Sequence, residues 1–298
     1  MSQEPLPKWV TFSTAGLGGI GGWIVVHPFN TLAVRMNLAQ SAGGRQLSFP
    51  QFVREAVRKN GFGSLYNGLS AGITRQIFYA TSRFGLFEVF RDKLAQYRET
   101  DVWSRLLAAV TAGGSAALIS APVELCLVRM SNDATLPAAQ RRNYSGVINA
   151  AARITKEEGV AAFWRGSTPF ITRAMLVGAT QVATFDSCKD IYRNLGITGS
   201  LSNVTASAFT AGLIYSVITM PFESAKNRMC FQKPDPATGK LLYTGTIQTI
   251  SSVAKAEGAL SLWGGFLPYF GRCGGHTVAM FVFVEALRKQ YWLAQGAK

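Results

Sequence analysis

The sequence predicts an all-α membrane protein: six transmembrane helices in three tandem repeats with pseudo-threefold symmetry, plus three short helices on one side. Two observations carry that prediction. The first is a recurrence in register: Gly61, Gly159 and Gly258 lie 98 and 99 residues apart, as do Arg75, Arg173 and Arg272, and as do Glu88, Asp186 and Glu285. Tandem units of this size mark one assembly of repeated supersecondary units rather than separate domains. The second is composition. Hydrophobic residues make up 48% of the 298, and charged residues only 15%, below the roughly 25% usual in soluble domains. The chain therefore reads as a single domain, 1-298, with repeats at about 9-98, 103-195 and 201-294.

The elements follow in order. From about Trp9 to Leu38 a helix-length run carries Gly18 and Gly22 four apart, a small-residue face that lets helix backbones approach closely in a bilayer. Residues 40–48 read as a loop, and Pro50 to Lys59 as a short amphipathic helix stopped at Asn60-Gly61. A second long segment spans about Leu69 to Gln96 and carries Arg75, Arg83, Glu88 and Arg91. A third, about Trp103 to Ser131, repeats the small face with Gly113 and Ala117. A short helix from Val147 to Glu158 ends at Gly159, and long segments follow at about Ser167 to Asn194, Leu201 to Met229 and Phe266 to Leu293.

The odd-numbered long segments each end in a related stretch: PFNTLAVRM from Pro28, PVELCLVRM from Pro122 and PFESAKNRM from Pro221. Pro28, Pro122 and Pro221 are the expected helix kinks, because proline removes a backbone donor inside a helix. The formal net charge is +14, a balance compatible with nucleic acid, anionic lipid or an anionic substrate. Nucleic acid is disfavoured because the charges interrupt apolar helices instead of lining a soluble face among stacking aromatics. Cys126, Cys188, Cys230 and Cys273 show no ligand spacing, and the two histidines add none, so neither a metal nor a cofactor is expected. No nucleophile with a nearby base can be assembled, and an enzyme is not expected. The opening MSQEPLPKW has neither an apolar signal core nor an Arg-rich amphipathic pattern, so no cleavable presequence is expected.

Arginine in the middle of a spanning helix is costly, so it should face water or a partner. Arg75, Arg173 and Arg272 recur in register on the even-numbered segments, and three guanidinium forks at one level suit carboxylates. Tyr79 and Arg83 lie four and eight residues past Arg75, on the same helix face; the matching offsets hold Val177 and Gln181, then His276 and Met280. The threefold pattern is broken there, which an asymmetric dicarboxylate needs in order to be oriented. Arg83, Gln181 and His276 are therefore expected as secondary contacts, with a packed neutral histidine as the other reading of His276.

The pattern Px[DE]xx[KR]x[KR], followed about 30 residues later by [DE]Gxxxx[WYF][KR]G, resembles the signature of the mitochondrial carrier family. The third copy matches its first half fully and continues as EGALSLWGG from Glu257. The second continues as EEGVAAFWRG from Glu157, and the first as NGFGSLYNG from Asn60, without its charges. Likeness to members exchanging 2-oxoglutarate for malate rests on LSAGITRQ from Leu69, LPAAQRRNYSGVINAAARITKEEGV from Leu136, WRGSTPFITRA from Trp164 and PYFGRCGGHTV from Pro268.

The resemblance implies a multi-pass antiporter of the mitochondrial inner membrane, with its short helices on the matrix side and the three arginines at the common substrate-contact points. A broader di- and tricarboxylate carrier and a non-transporting scaffold are the other readings. It also implies a cytoplasmic gate in which Glu88, Asp186 and Glu285 pair with Arg91, Lys189 and Arg288. In the matrix gate each signature acid pairs with the next repeat's base, but Asn30, Ala33 and Leu127 replace charged residues there, leaving Glu124 with Lys226. Glu223 then lacks its usual partner unless Arg35 supplies one, and a matrix-open resting form is expected. Tyr144-Ser145-Gly146, Tyr243-Thr244-Gly245 and Trp164-Arg165-Gly166 resemble cardiolipin-binding positions, surest at the second repeat. A threefold pathway completed within one chain makes a monomer the default.

Overall fold

The computed structural model describes residues 7–41, 47–96, 101–197, 200–232, 234 and 238–295. Among them are six long helices: α1 (Lys8–Ser41), α3 (Leu69–Ala95), α4 (Val102–Asp133), α6 (Ser167–Asn194), α7 (Ser200–Phe231) and α9 (Phe266–Ala294). Three short ones, α2 (Phe49–Asn60), α5 (Val147–Glu158) and α8 (Thr246–Glu257), each precede an even-numbered member of the long set. The loop expected at 40–48 falls largely outside the described residues. Even the shortest long helix, α3 with 27 residues, is about 40 Å at 1.5 Å per residue, beyond the roughly 30 Å hydrocarbon core of a bilayer.

The long helices form a closed ring in which α3 packs on α4, α6 on α7, and α9 returns to α1. Small residues make that closure possible. A Cβ at Gly18 would lie 2.4 Å from Val284 on α9, and one at Gly22 would lie 3.0 Å from the backbone of Met280. Gly113 plays the same part between α4 and α6, where a Cβ would meet the Ala174 carbonyl at 3.0 Å.

By length and composition, α1, α4 and α7 qualify as membrane spans, over Ser13–Ala39, Leu106–Asp133 and Ser202–Phe231. The other three long helices fall short for a physical reason: they carry Arg75, Arg173 and Arg272 and the acidic and basic residues beyond them. Pro28, Pro122 and Pro221 lie inside α1, α4 and α7, which continue past them. The carbonyl four residues before a helix proline loses its donor. At Pro221 that carbonyl belongs to Val217, and the Trp263 indole donates to it at 3.0 Å.

Candidate functional site

At the end of the ring nearest the short helices, charged side chains from five long helices join into one buried chain of contacts. It begins on α3, where Arg75 Nε lies 3.6 Å from Glu124 Oε2 on α4. Lys226 on α7 reaches Glu124 at 2.5 Å and Glu223, one turn back on its own helix, at 2.8 Å. Glu223 Oε2 is in turn 3.0 Å from Arg173 Nε on α6. Arg173 then donates to the Tyr269 hydroxyl from Nε at 3.2 Å and from Nη2 at 3.1 Å. Arg272, one turn further along α9, holds its guanidinium carbon 4.9 Å from the Tyr269 ring centroid. The three sequence-predicted arginines are thus joined by one pathway.

Several members of that pathway were invisible to motif spacing. Tyr269, fully buried, also pairs its hydroxyl with Thr219 at 3.0 Å. Its equivalents three residues before the other arginines are Gly72 and Phe170, so the ring is uneven at this level. Trp23 fills the space that Gly72 leaves: a Cβ there would lie 2.0 Å from the indole nitrogen. The indole face sits 4.4 Å from the Arg75 guanidinium carbon, a cation–π contact. The available clue was glycine at an otherwise aromatic position of the repeat.

The expected secondary contacts divide. Tyr79 lies 5.9 Å from the Arg75 guanidinium and packs on Phe170, so these two join the site. His276 Nε2 is 3.4 Å from the Gln76 amide nitrogen and 3.3 Å from the Gly19 carbonyl, tying α9 to α1 and α3. Arg83 stands two turns beyond Arg75 and is partly buried. The side chains of Gln181 and Asp186 lie outside the described residues.

Two expectations about the matrix-side set are corrected. Glu223 is not left without a base, because Lys226 serves both carboxylates and Arg173 adds a second cation. Arg35 does not reach it: its guanidinium donates to the Ser131 carbonyl at 3.0 Å and to the Ser64 carbonyl and hydroxyl at 2.7 and 3.2 Å. In the described conformation buried ion pairs therefore join the helices at this end, where a matrix-open form was expected. Counting only the bases at the signature positions missed Arg173 and the double role of Lys226.

The far end looks different. Glu88 and Glu285 are exposed, and neither forms an ion pair among the described side chains. Arg91 instead pairs with its neighbour Asp92 at 2.8 Å, Lys189 rests near the Phe185 ring at 5.7 Å, and Arg288 Nε has no hydrogen-bond partner.

In the second and third repeats, the last arginine of the signature, near the end of its long helix, anchors a short helix. Arg129 binds Glu158 bidentately, with Arg165 on the same carboxylate, and Arg228 binds Glu257 bidentately. Burial works against charge at Glu158, but the bonds from Arg129 and the charges of Arg165 and Arg142 outweigh it and hold the carboxyl below the usual range. The first repeat has Asn60 before its glycine where the others have glutamate, and Arg35 falls back on neutral Ser64.

A cavity of about 360 Å³ opens between the start of α3, at Asn67, Gly68 and Ser70, and the Tyr144-Ser145 turn before α5. The Val147 amide donates to Ser70 Oγ at 3.2 Å across it. Likewise Thr246, at the start of α8, donates to Thr168 on α6 at 3.1 Å. The turns before α5 and α8 thus each face the start of the preceding repeat's even-numbered long helix.

Comparison with known proteins agrees with this architecture. Residues 4–98, 98–196 and 198–294 each match the model of the mitochondrial carrier protein family. The chain is similar to the mitochondrial 2-oxoglutarate/malate carrier protein of Caenorhabditis elegans, with 36% identity over 98% of this chain and 96% of the relative. The human carrier of the same name is 36% identical over 96% of this chain and 92% of the relative. The mitochondrial dicarboxylate/tricarboxylate transporter DTC of Arabidopsis thaliana is 32% identical over 96% of each chain. With three matched repeats, a closed ring of six long helices and an arginine from each repeat in one buried network, the chain belongs to the mitochondrial carrier family, a family of transporters and not of enzymes.

Proposed function

We propose that the protein is an antiporter of the mitochondrial inner membrane that exchanges 2-oxoglutarate for malate or a related dicarboxylate by alternating access. The observation that carries this reading is the linkage of Arg75, Arg173 and Arg272 at one level, one from each repeat, beside a closed ion network. Likeness to the 2-oxoglutarate/malate carriers over nearly the whole chain supports the substrate class.

In this reading the described state is open to the cytosol. A dicarboxylate descends to the arginines, where Tyr79, Arg83, Gln181 and His276 orient it. Its carboxylates compete with Glu124 and Glu223 for Arg75 and Arg173, which loosens the Lys226 network at the matrix end. Glu88, Asp186 and Glu285 then pair with Arg91, Lys189 and Arg288 as the outer end closes. Pro28, Pro122 and Pro221 supply the bends over which the odd-numbered long helices swing. A ligand shifts such an equilibrium only by its differential affinity for the two states. Return of the empty site would leave the arginine level uncompensated, so exchange is the expected mode. Lipid phosphates of the cardiolipin kind suit the turns before α5 and α8, where amides at a helix start face the preceding repeat. The chain works as a monomer, because its three repeats already close the ring.

A broader di- and tricarboxylate range is the second reading, favoured by likeness to the plant transporter. Uptake of labelled 2-oxoglutarate into liposomes preloaded with malate, citrate, phosphate or nothing separates the two. Counter-flow against malate alone is expected. Equal uptake against citrate would widen the assignment, uptake into empty vesicles would refute obligatory exchange, and no uptake by folded protein would leave a scaffold.

A further inference from the structure

The three in-register arginines are not equivalent. Around the ring, each faces the signature acid on the next odd-numbered repeat helix: Arg75 meets Glu124 at 3.6 Å, and Arg173 meets Glu223 at 3.0 Å. The third interface is α9 against α1, where a Cβ on Gly271 would lie 3.3 Å from the Phe29 ring and one on Gly275 would lie 3.2 Å from Val26. That register sets Arg272 beside the end of α1 that carries the first signature. The residue at the acid position there is Asn30, which has no charge.

Both side chains show the consequence. Asn30 is 4% exposed and its Nδ2 has no hydrogen-bond partner; Arg272 Nε is likewise shut off from solvent and without one. Arg272 rests on the Tyr269 ring and holds Nη2 3.6 Å from the Cys273 sulfur. No described carboxylate lies within ion-pair distance of it. A guanidinium donor without an acceptor in a desolvated site is costly, and a carboxylate satisfies it bidentately.

The balance of the whole cluster points the same way. Four cationic side chains, Arg75, Arg173, Arg272 and Lys226, meet two carboxylates, Glu124 and Glu223, which leaves an excess of two positive charges. A dianion neutralises that excess, a monoanion leaves one charge over, and a trianion overshoots.

We propose that Asn30 is a specificity-determining residue: by withholding a carboxylate from Arg272, it leaves the third pair of the ring to be completed by the transported dianion. This rests on the dicarboxylate reading above. An aspartate at position 30 would fill Arg272 from within and leave an excess of one.

The test compares Asn30→Asp with Asn30→Ala in purified, folded protein. It reads the half-saturation of exchange and the ligand-induced rise in unfolding temperature, for succinate, for its monoamide and for citrate. The unaltered protein should prefer succinate to the monoamide and to citrate. Asn30→Asp should weaken succinate at least about tenfold relative to the monoamide, as expected for one added charge beside a shielded ligand. Asn30→Ala, which changes shape but not charge, should preserve the order of preference. Equal effects of the two variants, or none from Asn30→Asp, would overturn the proposal. If Asn30→Asp does not fold, a monoamide bound by the unaltered protein as tightly as succinate overturns it. Failure of the unaltered protein to exchange any dicarboxylate would instead remove the functional reading, whereas normal exchange with an indifferent Asn30→Asp removes only this inference.

Discussion

Lys226 on α7 lies 2.5 Å from Glu124 on α4, the one signature ion pair that the departures at Asn30, Ala33 and Leu127 leave intact. The same ammonium also holds Glu223 at 2.8 Å, and the Lys226 side chain is only 3% exposed. Removing one partner from a buried ion network costs about 3 to 5 kcal/mol, because the remaining charges stay desolvated.

Lys226→Met should therefore destabilise the closed end of the ring more than any rim substitution. We expect exchange to fall at least about tenfold, a loss of about 1.4 kcal/mol in transition-state stabilisation. Cys230, buried one turn beyond, should become reactive toward a permeant maleimide. A variant with unchanged Cys230 labelling would contradict Lys226 as the hub of closure.

Tyr269→Phe removes one hydroxyl that accepts two bonds from Arg173 and meets Thr219. The ring and its packing remain, so the unfolding temperature should hardly move. A lost hydrogen bond of about 1 kcal/mol corresponds to roughly fivefold in affinity, and the half-saturation for 2-oxoglutarate should rise by about that factor. Titrating initial exchange rates against external substrate decides the matter; a changed maximal rate at constant half-saturation would argue against a positioning role.

Asn60→Glu should stabilise the protein. Arg129 and Arg228 bind carboxylates at the ends of α5 and α8, whereas Arg35, 1% exposed, has only neutral oxygens at the end of α2. Hydrogen bonds to charged partners contribute about 1.5 to 3 kcal/mol against about 1 for neutral ones. A rise in unfolding temperature of a few degrees is expected, and a fall would mean that Ser64 and the backbone already satisfy Arg35 fully.

Glu158→Gln should cost stability at neutral pH and little in acid. The Glu158 carboxyl is held below its ordinary range in the folded protein. Its contribution is therefore complete above the ordinary carboxylate pKa, about 4.3, and is lost as pH falls through the lower folded value. Thermal unfolding of the two forms from pH 7 downward should converge in acid, and a constant gap across that range would exclude the ion pair as the cause.

The fold was legible because repetition and patterning act locally. Three copies of proline, small-residue faces and helix-stopping glycines determine helix, break and close approach wherever they occur, so segments such as Val147–Glu158 and Ser167–Asn194 have the boundaries expected from sequence. The arginine level was legible for the same reason, since a recurrence of 98 and 99 residues carries side chains to equivalent depths. Pairing was not legible. Whether Glu223 finds a base depends on which cations lie within a few ångströms after six helices close, and Lys226 and Arg173 reach it while Arg35 turns to Ser64 and Ser131. Trp23 entered the site through the volume that Gly72 leaves vacant, and Tyr269 through contacts with Arg173, Thr219 and Arg272 on three helices. Sequence alone thus determined the elements, their threefold order and the recurrence of one arginine per repeat at a common level, all set by local propensity and period. Only the tertiary structure decided which charges satisfy one another and that Arg272 is left over, because electrostatic pairing depends on distance and burial across the ring.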